Sequence, residues 1–234
     1  MGAPRTNPID PASRDGLSQK LEAGAASLGL TLAPHQIAQL LDYVMLLVKW
    51  NAVYNLTAVR DPVQMVSQHL LDSLSVVLAF KGATRVLDVG AGGGLPGIVL
   101  AIWASVAQPS MHISLVDAVH KKTAFLTQVK AELGLHNVTV YTARVERLQV
   151  EQRFDLITSR AFAELADFVR WSEHLLAPGG EFIAMKGVAP QQEIDRLPPG
   201  WVVRDLQVLT VPTLDAERHL LRIARLDHAG ATEK

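Results

Sequence analysis

Residues 86–101 read VLDVGAGGGLPGIVLA, a β-branched run that breaks into glycine and then turns apolar again. This stretch constrains the fold more than any other. A glycine-rich turn between an apolar strand and an apolar helix is the opening βα turn of a parallel, ligand-binding sheet. Two registers compete for the same letters. Gly92, Gly94 and Gly97 spell G-x-G-x-x-G, whereas Asp88, Gly90, Gly92 and Gly94 spell D-x-G-x-G-x-G. In a dinucleotide fold the first pattern starts directly after the strand. Counted from Gly90, its sixth position is Leu95, so that pattern holds only two residues late.

The second register keeps its frame. Asp88 sits near the carboxyl end of the strand and points an acid at the loop, which opposes a pyrophosphate and favours a cation. Glycines at 90, 92 and 94 allow close backbone approach and positive φ, and Pro96 suits the first helical position. At the end of the next strand, SLVDA places Asp117 where an acid accepts from both ribose hydroxyls. Acid, glycine loop and second acid together suit S-adenosylmethionine, which has a ribose, an ammonium and a sulfonium but no phosphate. The plainer alternative is that Asp88 caps the helix and the glycines only make a tight turn.

The rest of the chain supplies the frame for that loop. Residues 1–12 are expected to be a flexible tail, and 13–81 a helical section. Leu17, Leu21, Ala25 and Leu28 recur at helical spacing before Gly29, Pro34 opens a second helix, and Asp61-Pro62 a third carrying Met65, Val66, Leu70 and Leu74. From 82 to 234 short strands alternate with helices. Strands are expected at Arg85–Val89, Ser110–Val116, Val138–Thr142, Phe154–Thr158 and Glu181–Met185, with helices from Pro96 and over Lys121–Leu133 and Ala163–Leu176. Trp201–Thr210 and Arg218–Leu226 follow with no helix between them. The expected fold class is therefore α/β: a Rossmann-like, mostly parallel seven-stranded sheet with an antiparallel C-terminal hairpin, plus the N-terminal helices.

The 234 residues are 49% apolar and 19% charged, carry a formal net charge of −1 and contain no cysteine. A soluble cytoplasmic protein is expected. Disulfides, thiolate metal sites and cysteine nucleophiles are excluded. The apolar stretch Leu95–Ala107 is shorter than the ~20 residues of a membrane span. Neither a membrane nor a metal is expected as a partner, and nothing in the sequence demands more than a monomer. A net charge near zero argues against bulk binding of nucleic acid but leaves room for a local basic face.

Chemistry narrows the acceptor. Methylation of a pyrimidine carbon generally needs a cysteine, which is absent. Exocyclic amines commonly use an Asn/Asp-Pro-Pro-aromatic loop after strand four, and here the loop reads Thr158-Ser159-Arg160-Ala161-Phe162. An acceptor with a free lone pair, such as guanine N7, needs only placement, for which orientation supplies up to ~7–11 kcal/mol.

Six segments then identify a resemblance: KWNAVYNLTAVRDP (Lys49–Pro62), HLLDSL (His69–Leu74), DVGAGGGLPG (Asp88–Gly97), LVDAVHKK (Leu115–Lys122), SRAF (Ser159–Phe162) and MKG (Met185–Gly187). The sequence resembles the 16S rRNA guanine-N7 methyltransferase G family, also called glucose-inhibited division protein B, over nearly all of the chain after the tail. The resemblance implies transfer of a methyl group from S-adenosylmethionine to N7 of a guanine in the 530 loop of 16S rRNA in the small ribosomal subunit. It implies that Gly90 and Leu95, with Asp88 and Gly92, form the cofactor loop. Asp117 and Ala118 would meet the adenosine, Val145 and Glu146 would flank the adenine, and Arg160 would reach the reaction centre and bind the cofactor there.

Other residues divide between roles in the site and plainer ones. Arg160, at the carboxyl edge of the sheet, orients a phosphate or guanine edge, or pairs with a structural acid. Lys121, Lys122, Arg144, Arg147 and Lys186 form the expected RNA footprint, or a solvated surface. Asn55, His69 and Asp72 wall the guanine pocket, or Asn55 caps a turn while His69 and Asp72 hydrogen-bond to each other. Trp50 and Tyr54 offer stacking for an extruded base, or a buried seam. Since N7 carries no proton, no general base is demanded. Three rivals stay open on the residues alone: a methyltransferase of small molecules, an NAD-linked oxidoreductase in the shifted register, and a non-catalytic RNA-binding assembly factor.

Overall fold

The computed structural model describes Asp10 and residues 12–226. The tail expected over 1–12 lies, but for Asp10 and Ala12, outside the described residues. Helix α1 (Arg14–Ser27) starts where Ser13 accepts the Gly16 N–H at 3.1 Å, and buries Leu17, Leu21 and Ala25. Helix α2 (Pro34–Tyr54) carries proline in its first turn and ends at Asn55, whose φ of 50° is left-handed. Asparagine tolerates that conformation better than most residues.

The third helix departs from expectation. Asp61 caps α3 (Pro62–Met65) by accepting the Val63 N–H at 3.0 Å, but the chain then widens into a π-helical segment over Val66–Leu71 before α4 (Asp72–Leu74). A π turn closes its hydrogen bonds five residues apart and resets which side chains face inward. Met65, Val66, Leu70, Leu71 and Leu74 are all buried, and so are His69 and Asp72. The run Pro62–Phe80 is long and apolar enough to cross a membrane, yet 67% of its apolar window is buried inside this fold. It is a core element.

The sheet follows: β1 (Arg85–Val89), α5 (Gly97–Ala107), β2 (His112–Asp117), α6 (His120–Glu132), β3 (Val138–Thr142), β4 (Phe154–Arg160), α7 (Leu165–Ser172), β5 (Leu176–Lys186), α8 (Gln191–Ile194), β6 (Trp201–Val208) and β7 (His219–Arg225). Its seven strands run in the order β3-β2-β1-β4-β5-β7-β6. The first five are parallel, and β7 inserts antiparallel between β5 and β6. From β1 the chain winds outward to β3 and then returns to β4 on the other side. That reversal is a topological switch point, where open α/β sheets bind ligands beyond the carboxyl ends of the strands.

Most boundaries other than those of β1 and β3 shift by one to a few residues, and three differences bear on the fold. Strand β5 begins at Leu176, through a Pro-Gly-Gly stretch that reads as a turn, and its pairing with β4 shifts register between Phe154 and Leu156. Helix α7 ends at Ser172 and passes into a 3-10 turn. Pro96 is the N-cap of α5 rather than its first residue.

Alternate strand residues enter opposite layers, as the pleat requires. Val86 joins α1, α2, α5 and α6 on one face, while Leu87 joins Phe168 and Phe182 under α7 on the other. Polar bonds also fasten the N-terminal helices to that layer. Gln36 Nε2 donates to the carbonyls of Ile102 and Trp103 at 2.7 and 3.1 Å. The Tyr43 hydroxyl donates to the Gly93 carbonyl at 2.5 Å, so a helix of the N-terminal section holds the glycine loop directly.

Candidate active site

Strand β1 delivers Asp88 to the switch point, but the side chain does not face the loop. It is fully buried, and Oδ2 accepts the Gly97 N–H at 2.9 Å while Oδ1 has no partner. Burial pushes its pKa up to about 7, against the lowering effect of the Gly97 bond. The acid expected to point at a ligand therefore caps α5 from beneath. This also decides the register. Pyrophosphate sites use the free N–H groups and positive dipole of a helix N-terminus, and here a carboxylate stands in that place. A Cβ on Gly97 would lie 2.2 Å from Leu115 Cδ2 and 2.8 Å from Asp88 Oδ2, so only glycine packs there.

Gly90, Gly92 and Gly94 take φ of 67°, 56° and 93°. A Cβ on Gly90 would sit 2.2 Å from Phe162 Cδ2. Asp117, at the end of β2, binds this loop to the next one. Its Oδ2 accepts the Gly92 N–H at 3.0 Å and lies 3.5 Å from Lys122 Nζ, and its Oδ1 accepts the Val119 N–H at 2.8 Å. A carboxylate offers about four acceptor positions, so Asp117 retains capacity for a hydroxyl. The bare glycine surface and this acid fit S-adenosylmethionine, and the capped α5 does not fit a dinucleotide.

The opposite wall is cationic. Asp72 is almost wholly buried between two guanidinium groups, with Oδ2 2.9 Å from Arg160 Nη1 and Oδ1 2.8 Å from Arg218 Nε. Arg160 also donates to the Gln68 carbonyl at 3.1 Å. The structural ion pair weighed for Arg160 thus exists, and it holds the arginine in place while 22% of its side chain stays open to solvent. Lys186 Nζ is held by Glu193 at 2.7 Å and by the Ala163 carbonyl at 2.9 Å.

His69 and Asp72 do not hydrogen-bond to each other. His69 lies within the π segment, where its Nε2 is 2.9 Å from Thr57 Oγ1 and its Nδ1 has no partner. Burial, reinforced by Arg160, lowers the His69 pKa to about 4, so the ring is neutral near pH 7.

A cleft of about 470 Å³ lies between the walls. Of the predicted residues it brings together Asp72, Gly90, Gly92, Leu95, Lys122, Arg160 and Lys186. Asp88, His69, Asp117 and Val145 are buried and do not line it, although Asp117 bonds the lining residue Gly92. Asn55, Ala118, Lys121, Arg144, Glu146 and Arg147 are exposed on the surrounding surface. Asn55 is the left-handed C-cap of α2, as in the turn-capping alternative, and its Oδ1 accepts from Arg60 Nη2 at 3.1 Å. Sequence reasoning misses Arg218, whose only signal is a charge at the mouth of the last strand, and Thr57. A second groove of about 510 Å³, between α1 and α2, lies away from the strand ends. Among the described residues no group of three or more His, Asp or Glu side chains is placed to hold a metal ion.

The comparisons agree with this geometry. The sequence pattern of the family described as rRNA small subunit methyltransferase G matches residues 36–221. The chain is 67% identical over 212 residues to the ribosomal RNA small subunit methyltransferase G of Janthinobacterium sp. (strain Marseille), covering 91% of this chain and 96% of that one. It is 68% identical to the protein of the same name from Herminiimonas arsenicoxydans, covering 91% and 97%. Among solved structures, TrmN from Thermus thermophilus superimposes with a TM-score of 0.51 at 19% identity, covering 69% of this chain and 53% of that one. The N-methyltransferase NodS from Bradyrhizobium japonicum, in complex with S-adenosyl-L-homocysteine, also gives 0.51, at 13% identity and covering 76% and 98%. Those two likenesses concern the fold. The chain belongs to the rRNA small subunit methyltransferase G family and is accordingly a methyltransferase dependent on S-adenosylmethionine.

Proposed function

We propose that the cleft holds a guanine of the 530 loop of 16S rRNA for methylation at N7, with S-adenosylmethionine seated on the glycine wall. One observation carries the reading. A glycine loop whose following helix is capped by Asp88 faces a wall of arginines and lysine held in place by carboxylates, at the carboxyl ends of β1, β4 and β5. When bound, S-adenosylmethionine supplies an electrophilic methyl on a sulfonium. Gly90, Gly92 and Leu95 would take the donor, and Asp117, Ala118, Val145 and Glu146 lie along the route of its adenosine. Asp88 acts indirectly, by fixing the turn into α5.

Arg160 and Lys186 are positioned for an anionic or guanine-edge contact, with Lys122 at the opposite rim and Lys121 and Arg144 outside it. Asp72 is a positioning residue, because it aims Arg160 without lying open to solvent itself. Guanine N7 has an unprotonated lone pair, so the chain has only to orient the base in line with the methyl group. His69, neutral and bonded to Thr57, has no proton-transfer task here. The reading assigns the reaction to a single chain without a metal.

The test is transfer of labelled methyl from S-adenosylmethionine to 30S subunits from cells lacking this protein, with the product nucleoside identified. N7-methylguanosine at one site of the 530 loop is the expected product. Arg160→Ala is expected to lower transfer ~10–100-fold, as loss of a charged hydrogen bond does. Label in another nucleoside, or none, would overturn the assignment.

A further inference from the structure

Three aromatic rings form a ladder beside the cleft. Phe125 of α6 is its fully buried foot. The Trp50 ring of α2 lies 5.5 Å from it, and the Tyr54 ring 5.1 Å from Trp50, tilted by 57° and 37°. Burial falls outward along the ladder: Trp50 is half-buried, and Tyr54 is 39% exposed. Core packing accounts for Phe125 and Trp50. It does not account for Tyr54, which has one side backed by Trp50 and which, with Val53 at 69% and Val119 at 39%, leaves apolar surface in water.

The ladder adjoins the cleft without lining it. Leu56 and Thr57, just after Tyr54, line the cleft, and so does Lys122, one helical turn before Phe125. The two helices that carry it also carry unpaired lysines: Lys49 and Lys121 are exposed and, among the described residues, paired with no carboxylate. Arg60 donates to Asn55. The acid of this region, Asp61, is engaged as the cap of α3.

We infer that Tyr54, backed by Trp50, is a stacking platform for an unpaired nucleobase of the RNA substrate, a neighbour of the base that enters the cleft. The inference rests on the proposed action on rRNA. A braced ring at a wet rim presents a π face that any base can cover, and the flanking lysines attract phosphates irrespective of sequence. Acidic protein surface would find the same lysines, but a single-stranded RNA presents a flat base beside every phosphate, which is the combination that an exposed ring among lysines fits.

The experiment compares the wild-type chain with Tyr54→Ala and Tyr54→Phe in methylation of unmodified 30S subunits. Cofactor affinity, melting temperature and an ultraviolet cross-link mapped on both partners are measured alongside. Tyr54→Ala is expected to raise KM for the subunit about tenfold, with cofactor affinity and melting temperature held. Tyr54→Phe, which keeps the π face, is expected to stay near wild type. The cross-link should join the Tyr54 peptide to a nucleotide other than the methylated one. An unchanged KM in Tyr54→Ala, equal loss in both variants, or a cross-link to a ribosomal protein would overturn the platform. A wild-type chain that methylates nothing yet still cross-links to RNA through Tyr54 would overturn the catalytic reading and leave the platform standing.

Discussion

The two walls of the cleft are made in opposite ways. The glycine wall is local: Asp88 to Gly97 comprise one strand end, one loop and one helix start, and the acid turns inward onto a backbone N–H. The cationic wall is assembled from four distant segments, with Asp72 lying 88 residues from Arg160 and 146 from Arg218. Each wall contains a buried aspartate, handled differently. Asp88 has a single neutral donor and is pushed toward its protonated form, whereas Asp72 is matched by two guanidinium groups. The first wall thus depends on backbone shape and tolerates no added atom. The second depends on charge balance and tolerates no removed one.

The largest expected effect tests the second half of that contrast. Asp72→Ala leaves two mostly buried arginines without their carboxylate, a loss of about 3–5 kcal/mol for a broken buried pair. Thermal denaturation should show a fall of roughly 6–20 °C for a chain of this size. A fall under about 3 °C would mean that solvent screens the pair and the wall is not a closed charge unit.

The glycine wall breaks by addition. Gly97→Ala drives a methyl into Leu115 and Asp88, and overpacking of this kind costs ~1–3 kcal/mol. Gly90→Ala is expected to be slightly milder, ~1–2 kcal/mol for a left-handed alanine. It should also weaken cofactor binding, because the new methyl displaces Phe162 beside the loop. Titration of S-adenosyl-L-homocysteine by calorimetry checks it. Unaltered affinity in Gly90→Ala would show that the loop has slack.

The smallest effect is a slope. Asp88 titrates at about 7 when folded against 3.8 when free. Its contribution to stability is full below the lower value and is lost as pH rises through the upper one. His69 works in the other direction: its pKa falls from 6.5 to about 4, so its contribution is present above the first value and lost as pH falls through the second. In the cofactor-free chain the two slopes oppose each other between about 4 and 6.5, so Asp88→Asn, which leaves only the His69 slope of the pair, should make melting temperature climb more steeply with pH there than in the wild-type chain. Parallel curves for the two proteins would place the proton elsewhere.

Legibility follows the same division. Strands β1 and β3 match their expected bounds to the residue, because β-branched runs bounded by glycine or by helix signals carry their own limits. The Ala177–Gly180 stretch of β5 is an irregularity between Leu176 and Glu181 with no partner in β4, as Pro-Gly-Gly turn chemistry suggests, and the continuous ladder with β4 starts at Glu181, where the sequence places the strand. The π segment was hidden, because the spacing of Met65, Val66, Leu70, Leu71 and Leu74 suits an unbroken helix equally well. Motif residues gave the cationic wall its members Asp72, Arg160 and Lys186, but not their partners. Arg218 carries no motif that separates it from any other charge at a strand mouth.

What the amino-acid order alone determined was the parallel sheet, its antiparallel end and the glycine loop between the first strand and its helix, whereas the register of that loop waited on the placement of Asp88. The sheet, its end and the loop follow from backbone preference and short-range spacing. Tertiary structure decided where the charges go: Asp88 inward beneath a helix, Asp72 between Arg160 and Arg218, and His69 onto Thr57. Charge interactions act through space and depend on burial, and neither the separation nor the burial is written in local sequence.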